Sequence, residues 1–136
     1  MKNRINDKVI ELEKFIEELE SSLPESLEEY KNDFKIIAIG ERYFEKIIEA
    51  IIDVTFLIIK ERNFATPEED KEALDILVRE GIISKELAEK LKDAKGMRNI
   101  IAHEYGEIDD ELVFSSLKDE LIIDAQEFIK QINNIK

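Results

Sequence analysis

Apolar residues along this chain have the spacing of amphipathic α-helices from one end to the other. They recur three and four residues apart, and no segment shows the strict apolar–polar alternation typical of a β-strand. A first helix is predicted from about Arg4 to Glu20, and Ser21-Ser22-Leu23-Pro24 ends it. Its apolar face consists of Ile5, Val9, Leu12, Phe15, Ile16 and Leu19.

The second predicted helix is long, from about Leu27 to Arg62, and carries two apolar stripes. Two stripes require two covering surfaces, so we expect this helix to lie at the centre of the fold, and a dimer interface is one way to cover the second stripe. The first stripe consists of Ile37, Gly40, Phe44, Ile47, Ile51, Val54 and Ile58. The second consists of Ile36, Tyr43, Ile48, Ile52 and Ile59.

Start and stop signals predict three further helices. Thr66, as a cap before Pro67 and Glu69, starts a third helix that runs to about Glu80, where Gly81 ends it. Ser84 can cap a fourth helix that runs to about His103. After Gly106, the acidic run from Asp109 to Glu111 favours the start of a fifth. No linker is long enough to divide the chain. The sequence therefore predicts an all-α, up-and-down bundle of about five helices in a single domain, residues 1–136.

Composition limits the classes of function. Cysteine is absent, which excludes disulfides, thiolate metal sites and cysteine nucleophiles. The most apolar stretch, residues 36–59, contains Glu41, Arg42, Glu45, Lys46, Glu49 and Asp53, so no membrane span is predicted. The first residues lack the apolar core of a signal peptide, and a cytoplasmic location is expected by default.

The distribution of charge matters more than its total. A net charge of −13 argues against coating nucleic acid with the whole surface. Residues 84–105 contain five basic and four acidic residues, whereas residues 1–33, 34–83 and 106–136 are each net acidic. An anionic substrate is therefore expected to be admitted at 84–105 and repelled elsewhere. An excess of one unit is small enough to arise by chance.

Chemistry-bearing residues concentrate in the same segment, as Arg98-x4-His103-x-Tyr105. His103 is the only histidine, the residue type that most often acts as a general acid or base, while Arg98 is a permanent cation suited to binding phosphate. Together with the phenol of Tyr105, they suit phosphodiester chemistry without a metal. One histidine and no cysteine make a poor transition-metal site, so neither a metal nor a cofactor is predicted.

Helix geometry constrains how Arg98 and His103 can act together. Arg98 extends the apolar stripe of Leu87, Leu91 and Ala94, so its guanidinium needs an acidic partner, a two-fold mate or a bound anion. In an unbroken helix His103 lies ~140° around the axis from Arg98. The two converge on one substrate only if the helix ends or distorts between them, or if two subunits pair around the motif. We favour pairing.

Each of these residues alone also has a purely structural explanation. His103 can serve as a favourable cation at a helix C-terminus. Arg98 can pair with Asp53 or Glu49 of the central helix, and Tyr105 can be a core aromatic with its hydroxyl at the surface. For each residue taken singly, this is the stronger interpretation. The spaced set favours a functional site.

The stretch from Arg98 to Tyr105, with Ile108-Asp109 after it, resembles the R-x4-H-x-Y signature of HepT-like proteins, small helical domains of the HEPN superfamily. Arg42, followed by the apolar run that ends at Asp53, is similar to the central-helix pattern of the family. Pro67 through Leu77 and then Gly81-Ile82-Ile83 also fit its layout. The resemblance covers roughly Ile5 to Ile132, although the first 30 residues match only in helical character.

The resemblance implies a metal-independent endoribonuclease, active as a homodimer whose two motifs line a cleft at the two-fold axis. RNA supplies its own nucleophile, the 2′-hydroxyl. His103 would be the general base or acid, one from each subunit could do both, and Arg98 would stabilise charge on the phosphorane. Asn99, on the helical face of His103, would orient the imidazole or bind phosphate. Arg42, Glu49 and Asp53 are expected to support the site.

The family also implies partners other than RNA and a second copy of the chain. HepT-like toxins are usually encoded beside a minimal nucleotidyltransferase of the MntA type, the antitoxin. It silences the toxin by adding AMP to the motif tyrosine, here Tyr105. The alternative is a non-catalytic HEPN module that binds nucleotide or RNA, or a dimeric partner subunit of a nucleotidyltransferase. A purely structural bundle is disfavoured by an arginine on an apolar stripe.

Overall fold

The computed structural model describes residues 2–103 and 108–134, and every regular element in those ranges is a helix. The expected all-α fold is therefore confirmed. One cluster of buried apolar side chains extends through the described helices. None of these helices is both long enough and apolar enough to cross a membrane.

Helix α1 (Lys2–Ser22) packs lengthwise on the long central helix α3 (Phe34–Glu61). Its contact face is the predicted one: Leu12, Ile16 and Leu19 are buried, and Ile5, Val9 and Phe15 pack at the edge of the core. Tyr43 of α3 donates a hydrogen bond to Glu18 Oε1 of α1 at 2.8 Å. An apolar seam thus joins the two helices, together with this hydrogen bond and an ion pair between Lys8 and Asp53.

The predicted helix from Leu27 to Arg62 is two helices, because residues 32 and 33 are not helical and interrupt it. A short helix α2 (Leu27–Lys31) precedes α3 (Phe34–Glu61), and Asp33 caps α3 by accepting the Lys35 N–H at 2.9 Å. The break turns the ring of Tyr30 into the core. A Cβ at Gly40 would lie 3.0 Å from the Tyr30 hydroxyl, so glycine permits this close approach of α2 to α3.

Both apolar stripes of α3 are covered within the chain. Most of their members are buried, under α1 on one side and under α4 (Asp70–Arg79) and α5 (Lys85–His103) on the other. Ile36, Ile37 and Tyr43 are only partly buried. The central position of α3 is confirmed, but its second stripe provides no separate surface for a dimer.

The third helix begins later than the capping signal at Thr66 predicted. Helix α4 starts at Asp70, Glu69 occupies the cap position without a side-chain cap bond, and the Glu68 N–H is bonded to the carboxylate of Glu72. The chain from Thr66 to Glu69 thus forms a loop rather than a first helical turn. The predicted end is correct, since Gly81 has a φ of 75° and its N–H donates to the Val78 carbonyl at 3.0 Å.

The predicted fifth helix is one helical run with a change of winding inside it. Helix α6 (Asp110–Ser116) passes through a π-helical segment (Leu117–Leu121) into α7 (Ile122–Asn133). Asp109 caps it by accepting the N–H groups of Glu111 and Leu112. Helix α6 packs on α2, and α7 packs on α1 and α5. This packing closes the bundle around α3.

Candidate active site

Helix α5 carries the motif and is a single, continuous α-helix from Lys85 to His103. Ser84 caps it as predicted, because its Oγ accepts the Leu87 N–H at 3.0 Å. Leu87 and Leu91 are buried, and the stripe that they begin continues through Ala94 to Arg98. Packing of this stripe against α3 therefore turns the Arg98 side chain inward.

Arg98 has an acidic partner in the same chain. Its Nη2 donates to Glu49 Oε1 of α3 at 2.7 Å, and the side chains of Arg98 and Glu49 are 22% and 45% exposed. Asp53, the other candidate, instead lies with its Oδ2 3.4 Å from Lys8 Nζ of α1. Of the three alternative partners expected for an inward guanidinium, the structure thus provides the acidic one, within the same chain.

Asn99 connects two cations of α5. Its Oδ1 accepts from Arg98 Nη1 at 3.2 Å and from Lys95 Nζ at 3.4 Å. Lys95 also lies 3.2 Å from Asp70 Oδ2 at the start of α4. Arg98 Nε is buried and has no hydrogen-bond partner among the described residues. The guanidinium therefore keeps N–H donors beyond the two that are used, but Nε is closed to solvent.

His103 is the last residue of α5 and its side chain is exposed. Because α5 neither ends nor changes its winding before His103, the imidazole and the guanidinium project in directions ~140° apart. Two alternatives would allow convergence, a distortion of the helix between Arg98 and His103 or the pairing of two subunits. The described helix has no such distortion. Convergence of Arg98 and His103 on one phosphate then requires a second chain.

A cavity of about 250 Å³ lies beside Arg98, between α3, α5 and the start of α4. Its polar lining consists of Glu49, Asp53, Asp70, Lys95 and Arg98, and its apolar lining of Ile48, Ile52 and Phe56. Three carboxylates therefore face two cations, and both cations are ion-paired. We name it the Arg98 cavity.

The small positive excess of residues 84–105 is largely neutralised in three dimensions. Lys90 lies 3.8 Å from Glu86, and Lys92 is paired with Asp75. Together with the partners of Lys95 and Arg98, these contacts pair four of the five basic residues of the segment, and Lys85 alone has no ion pair among the described residues. The expectation that the net charge of the segment alone admits an anion therefore loses most of its basis, since Glu49 of α3 and Asp70 and Asp75 of α4 supply three of these four partners from outside the segment.

The remaining predicted site residues lie in different places. Arg42 is 60% exposed, lies 3.9 Å from Glu45, and does not line the Arg98 cavity. Tyr105 lies outside the described residues. In the described part of the chain, no group of three or more His, Asp or Glu side chains is arranged to hold a metal ion. Sequence reasoning missed Lys95 and Asp70, although the four-residue spacing of Lys95 and Asn99 on one helix was a usable signal.

A family model described as "Ribonuclease HepT-like" matches residues 12–132. This chain belongs to the HepT-like ribonuclease family. The resemblance of the chain as a whole to that family is thereby confirmed.

Individual HepT-like relatives are consistent with this assignment. A tRNA nuclease HepT from Aphanizomenon flos-aquae is 32% identical over 92 residues, which cover 68% of this chain and 63% of the relative. An mRNA nuclease HepT from Shewanella oneidensis is 26% identical over 104 residues, 76% of this chain and 77% of the relative.

Solved structures identify the fold. A tri-AMPylated HEPN toxin of Shewanella oneidensis in complex with an MNT antitoxin has a TM-score of 0.92 and 23% identity, over 99% of this chain and 100% of that chain. A toxin–antitoxin structure with AMP-PNP has a TM-score of 0.88 and 22% identity, over 96% of this chain and 98% of that chain. The bundle of this HepT-like chain is therefore a HEPN fold.

Proposed function

We propose that this HepT-like chain is a metal-independent endoribonuclease toxin whose active site is shared by two copies of the chain. The observation that carries the proposal is the opposed placement of Arg98 and His103 on one continuous helix. A second copy related by a two-fold axis can place its His103 opposite Arg98 of the first. The names of the nuclease relatives support RNA as the substrate.

The proposed reaction uses only groups of the protein, the RNA and water. His103 of one copy accepts the proton of the 2′-hydroxyl, and the 2′-oxygen forms a bond to the neighbouring phosphorus. The bond from phosphorus to the 5′-oxygen breaks, and that oxygen takes a proton from water. The imidazolium then returns its proton to the hydroxide that remains. Arg98 of the other copy stabilises the negative charge on the phosphorane, and Glu49 orients Arg98.

Exposed apolar residues beside the motif support a second copy there. Ile100 lies between Arg98 and His103 on α5 and is 42% exposed. A groove between α5 and the α6–α7 run is lined by Met97, together with Leu112 and Ile123, which are 51% and 57% exposed. The groove also contains charged residues, and the exposed apolar side chains in and beside it are ones that a second copy of the chain can cover.

We expect the protein to be a homodimer of about 32 kDa, twice its 15.9 kDa, in light scattering at micromolar concentration. Ile100→Glu should shift the mass toward that of the monomer, because a charge would be buried at the shared surface. Ile10→Glu is the matched control, since Ile10 is also an exposed apolar residue but lies on α1. A wild-type mass of 15.9 kDa would contradict the shared site.

We further propose that a minimal nucleotidyltransferase silences this toxin by AMP addition to Tyr105. The Tyr105 oxygen would attack the α-phosphorus of ATP, pyrophosphate would leave, and the phenolic proton would pass to solvent. The tri-AMPylated toxin in complex with its antitoxin supports this regulation. The attached phosphates would occupy space that the anionic substrate needs, since Tyr105 lies two residues from His103.

Incubation with the nucleotidyltransferase and ATP should add adenylyl mass to Tyr105, and Tyr105→Phe should abolish the addition. The other tyrosines are poor acceptors. Burial raises the pKa of Tyr30, and the hydrogen bond to Glu18 raises the pKa of Tyr43. Peptide mapping by mass spectrometry distinguishes the three sites. Modification at Tyr30 or Tyr43, with Tyr105 unmodified, would contradict the proposal.

A second candidate function is RNA or nucleotide binding without cleavage. The acidic composition and the ion pairing of the α5 cations favour it, because neither provides a strong field for a phosphodiester in the transition state. An enzyme and a binder differ in one measurable respect. If the unmodified wild type binds RNA without cutting it, and His103→Ala binds equally well, the binding function is the correct one.

A further inference from the structure

A larger cavity lies next to the Arg98 cavity, at the end of α3. Its volume is about 680 Å³, and it shares Asp53 and Phe56 with the Arg98 cavity. Its other lining residues include Arg4 and Lys8 of α1, Lys60 of α3 and Phe64 of the loop after α3. We name it the distal pocket. Because two lining residues are common to both, the two cavities are neighbours on α3.

The distal pocket has the free positive charge that the Arg98 cavity lacks. Three cations line it, Arg4, Lys8 and Lys60, against the single carboxylate of Asp53. Lys8 is bonded to Glu11 at 3.2 Å and lies 3.4 Å from Asp53. Arg4 and Lys60 are exposed and form no ion pair with any residue in the described ranges. On a chain with a net charge of −13, this is a local site for an anion.

Two aromatic side chains line the same pocket. Phe56 and Phe64 are both half-buried, so each ring keeps some accessible surface. Phe64 is held in place by the turn that ends α3, in which its N–H donates to the Ile59 carbonyl at 3.0 Å. Asn63 makes this turn with a φ of 58°, in the left-handed region. The ring of Phe64 is therefore presented by an ordered turn beside the cations.

The two neighbouring cavities together fit a polymer rather than a single small anion. Glu49, the partner of Arg98, and Lys60 lie eleven positions apart on α3, which corresponds to ~16 Å along the helix axis. Cations beside accessible aromatic rings, as in the distal pocket, are the arrangement by which proteins hold single-stranded nucleic acid, since the cations contact the phosphates and the bases stack on the rings.

We propose that the distal pocket binds a nucleotide of single-stranded RNA that flanks the scissile bond held at Arg98. Arg4 and Lys60 contact its phosphate, and its base stacks on Phe64 or Phe56. The inference rests on the proposed ribonuclease function and extends it. It assigns to α1 and the end of α3 a substrate-binding role outside the R-x4-H-x-Y motif.

The test compares two double variants in the full chain that carries His103→Ala, so that RNA is bound but not cut. Arg4→Ala with Lys60→Ala removes the free cations of the pocket. Lys14→Ala with Lys35→Ala is the matched control, because it removes the same charge from the same two helices, at exposed positions that form no ion pair within the described part of the chain. The probe is a fluorescein-labelled single-stranded RNA of mixed sequence, measured by anisotropy at several salt concentrations.

We expect the pocket variant to bind this RNA about 10-fold or more weakly than the control. The slope of log affinity against log salt should fall by about 1.4, the value for two phosphate contacts to a single strand. Phe64→Leu should weaken binding without changing the salt slope, because stacking involves no counterion release. In the chain with His103 intact, KM for a long RNA should rise more than kcat falls.

Equal affinity and equal salt slope for the two double variants would overturn the inference. If the wild type still cuts RNA in that case, the proposed function stands and only the distal pocket is wrong. A wild type that neither cuts nor binds RNA would reject both. A pocket variant that changes the mass of the dimer instead of the RNA affinity would show that a second copy of the chain occupies the distal pocket. That result would also overturn the inference.

Discussion

Replacing His103 with alanine should slow RNA cleavage by about 10²–10⁴-fold, the usual contribution of a positioned general base. The side chain is exposed at the end of α5 and is not part of the buried core, so the variant should remain folded and dimeric. Single-turnover cleavage of an end-labelled RNA measures the loss, and circular dichroism with light scattering checks the fold. A variant that folds and cleaves at the wild-type rate would contradict the role of His103.

Arg98→Ala should reduce the rate at least as much, because it removes charge stabilisation from the transition state. Lys95→Ala is the matched control. Lys95 is a neighbouring cation on the same helix and also donates to Asn99 Oδ1, but its charge is directed to Asp70. It should therefore lose much less activity. Equal losses for the two variants would indicate a general electrostatic or structural effect rather than a role for Arg98 in the reaction.

The chemistry of the products distinguishes the proposed reaction from a metal-dependent one. Cleavage should survive EDTA and leave a 2′,3′-cyclic or 3′-phosphate, because the nucleophile is the 2′-hydroxyl of the RNA itself. DNA, and RNA with a single 2′-deoxy residue at the cut site, should be spared for the same reason. A 5′-phosphate product or loss of activity in EDTA would contradict this chemistry.

Most of the fold is predictable from the sequence, because it depends on local patterns. The stripe from Ile5 to Leu19, the cap at Ser84 and the glycine at 81 each act within a turn or two of helix, and the structure has all three. Two local predictions were wrong. The break at residues 32 and 33 is stabilised by burial of Tyr30, and the late start of α4 accompanies a bond to Glu72.

The candidate site is only half predictable, because its electrostatics depend on tertiary structure. Helical periodicity predicts the inward direction of Arg98 and limits its candidate partners to Glu49 and Asp53. It does not predict which of the two carboxylates binds Arg98, because α1 brings Lys8 to Asp53 and thereby leaves Glu49 for Arg98. The neutralisation of Lys92 and Lys95 by α4 likewise requires the packing of α4 on α5.

Mixing two inactive proteins should restore activity if each active site is built from two chains. In a two-fold dimer of Arg98→Ala with His103→Ala, one site combines both substitutions and the other has neither. The intact site has Arg98 from one chain and His103 from the other. Random exchange of subunits in an equal mixture makes about half of the dimers mixed, so about a quarter of the wild-type activity should return.

This subunit-mixing measurement tests the shared active site most directly. The two variants are co-refolded or co-expressed, and the rate of RNA cleavage is compared with each variant alone and with wild type at the same chain concentration. A mixture of either variant with the Arg98→Ala, His103→Ala double variant is the control, since no site in it is complete. The account predicts about a quarter of the wild-type rate for the first mixture and none of that recovery for the control. A first mixture no more active than its components, although native mass spectrometry shows mixed dimers, would contradict it.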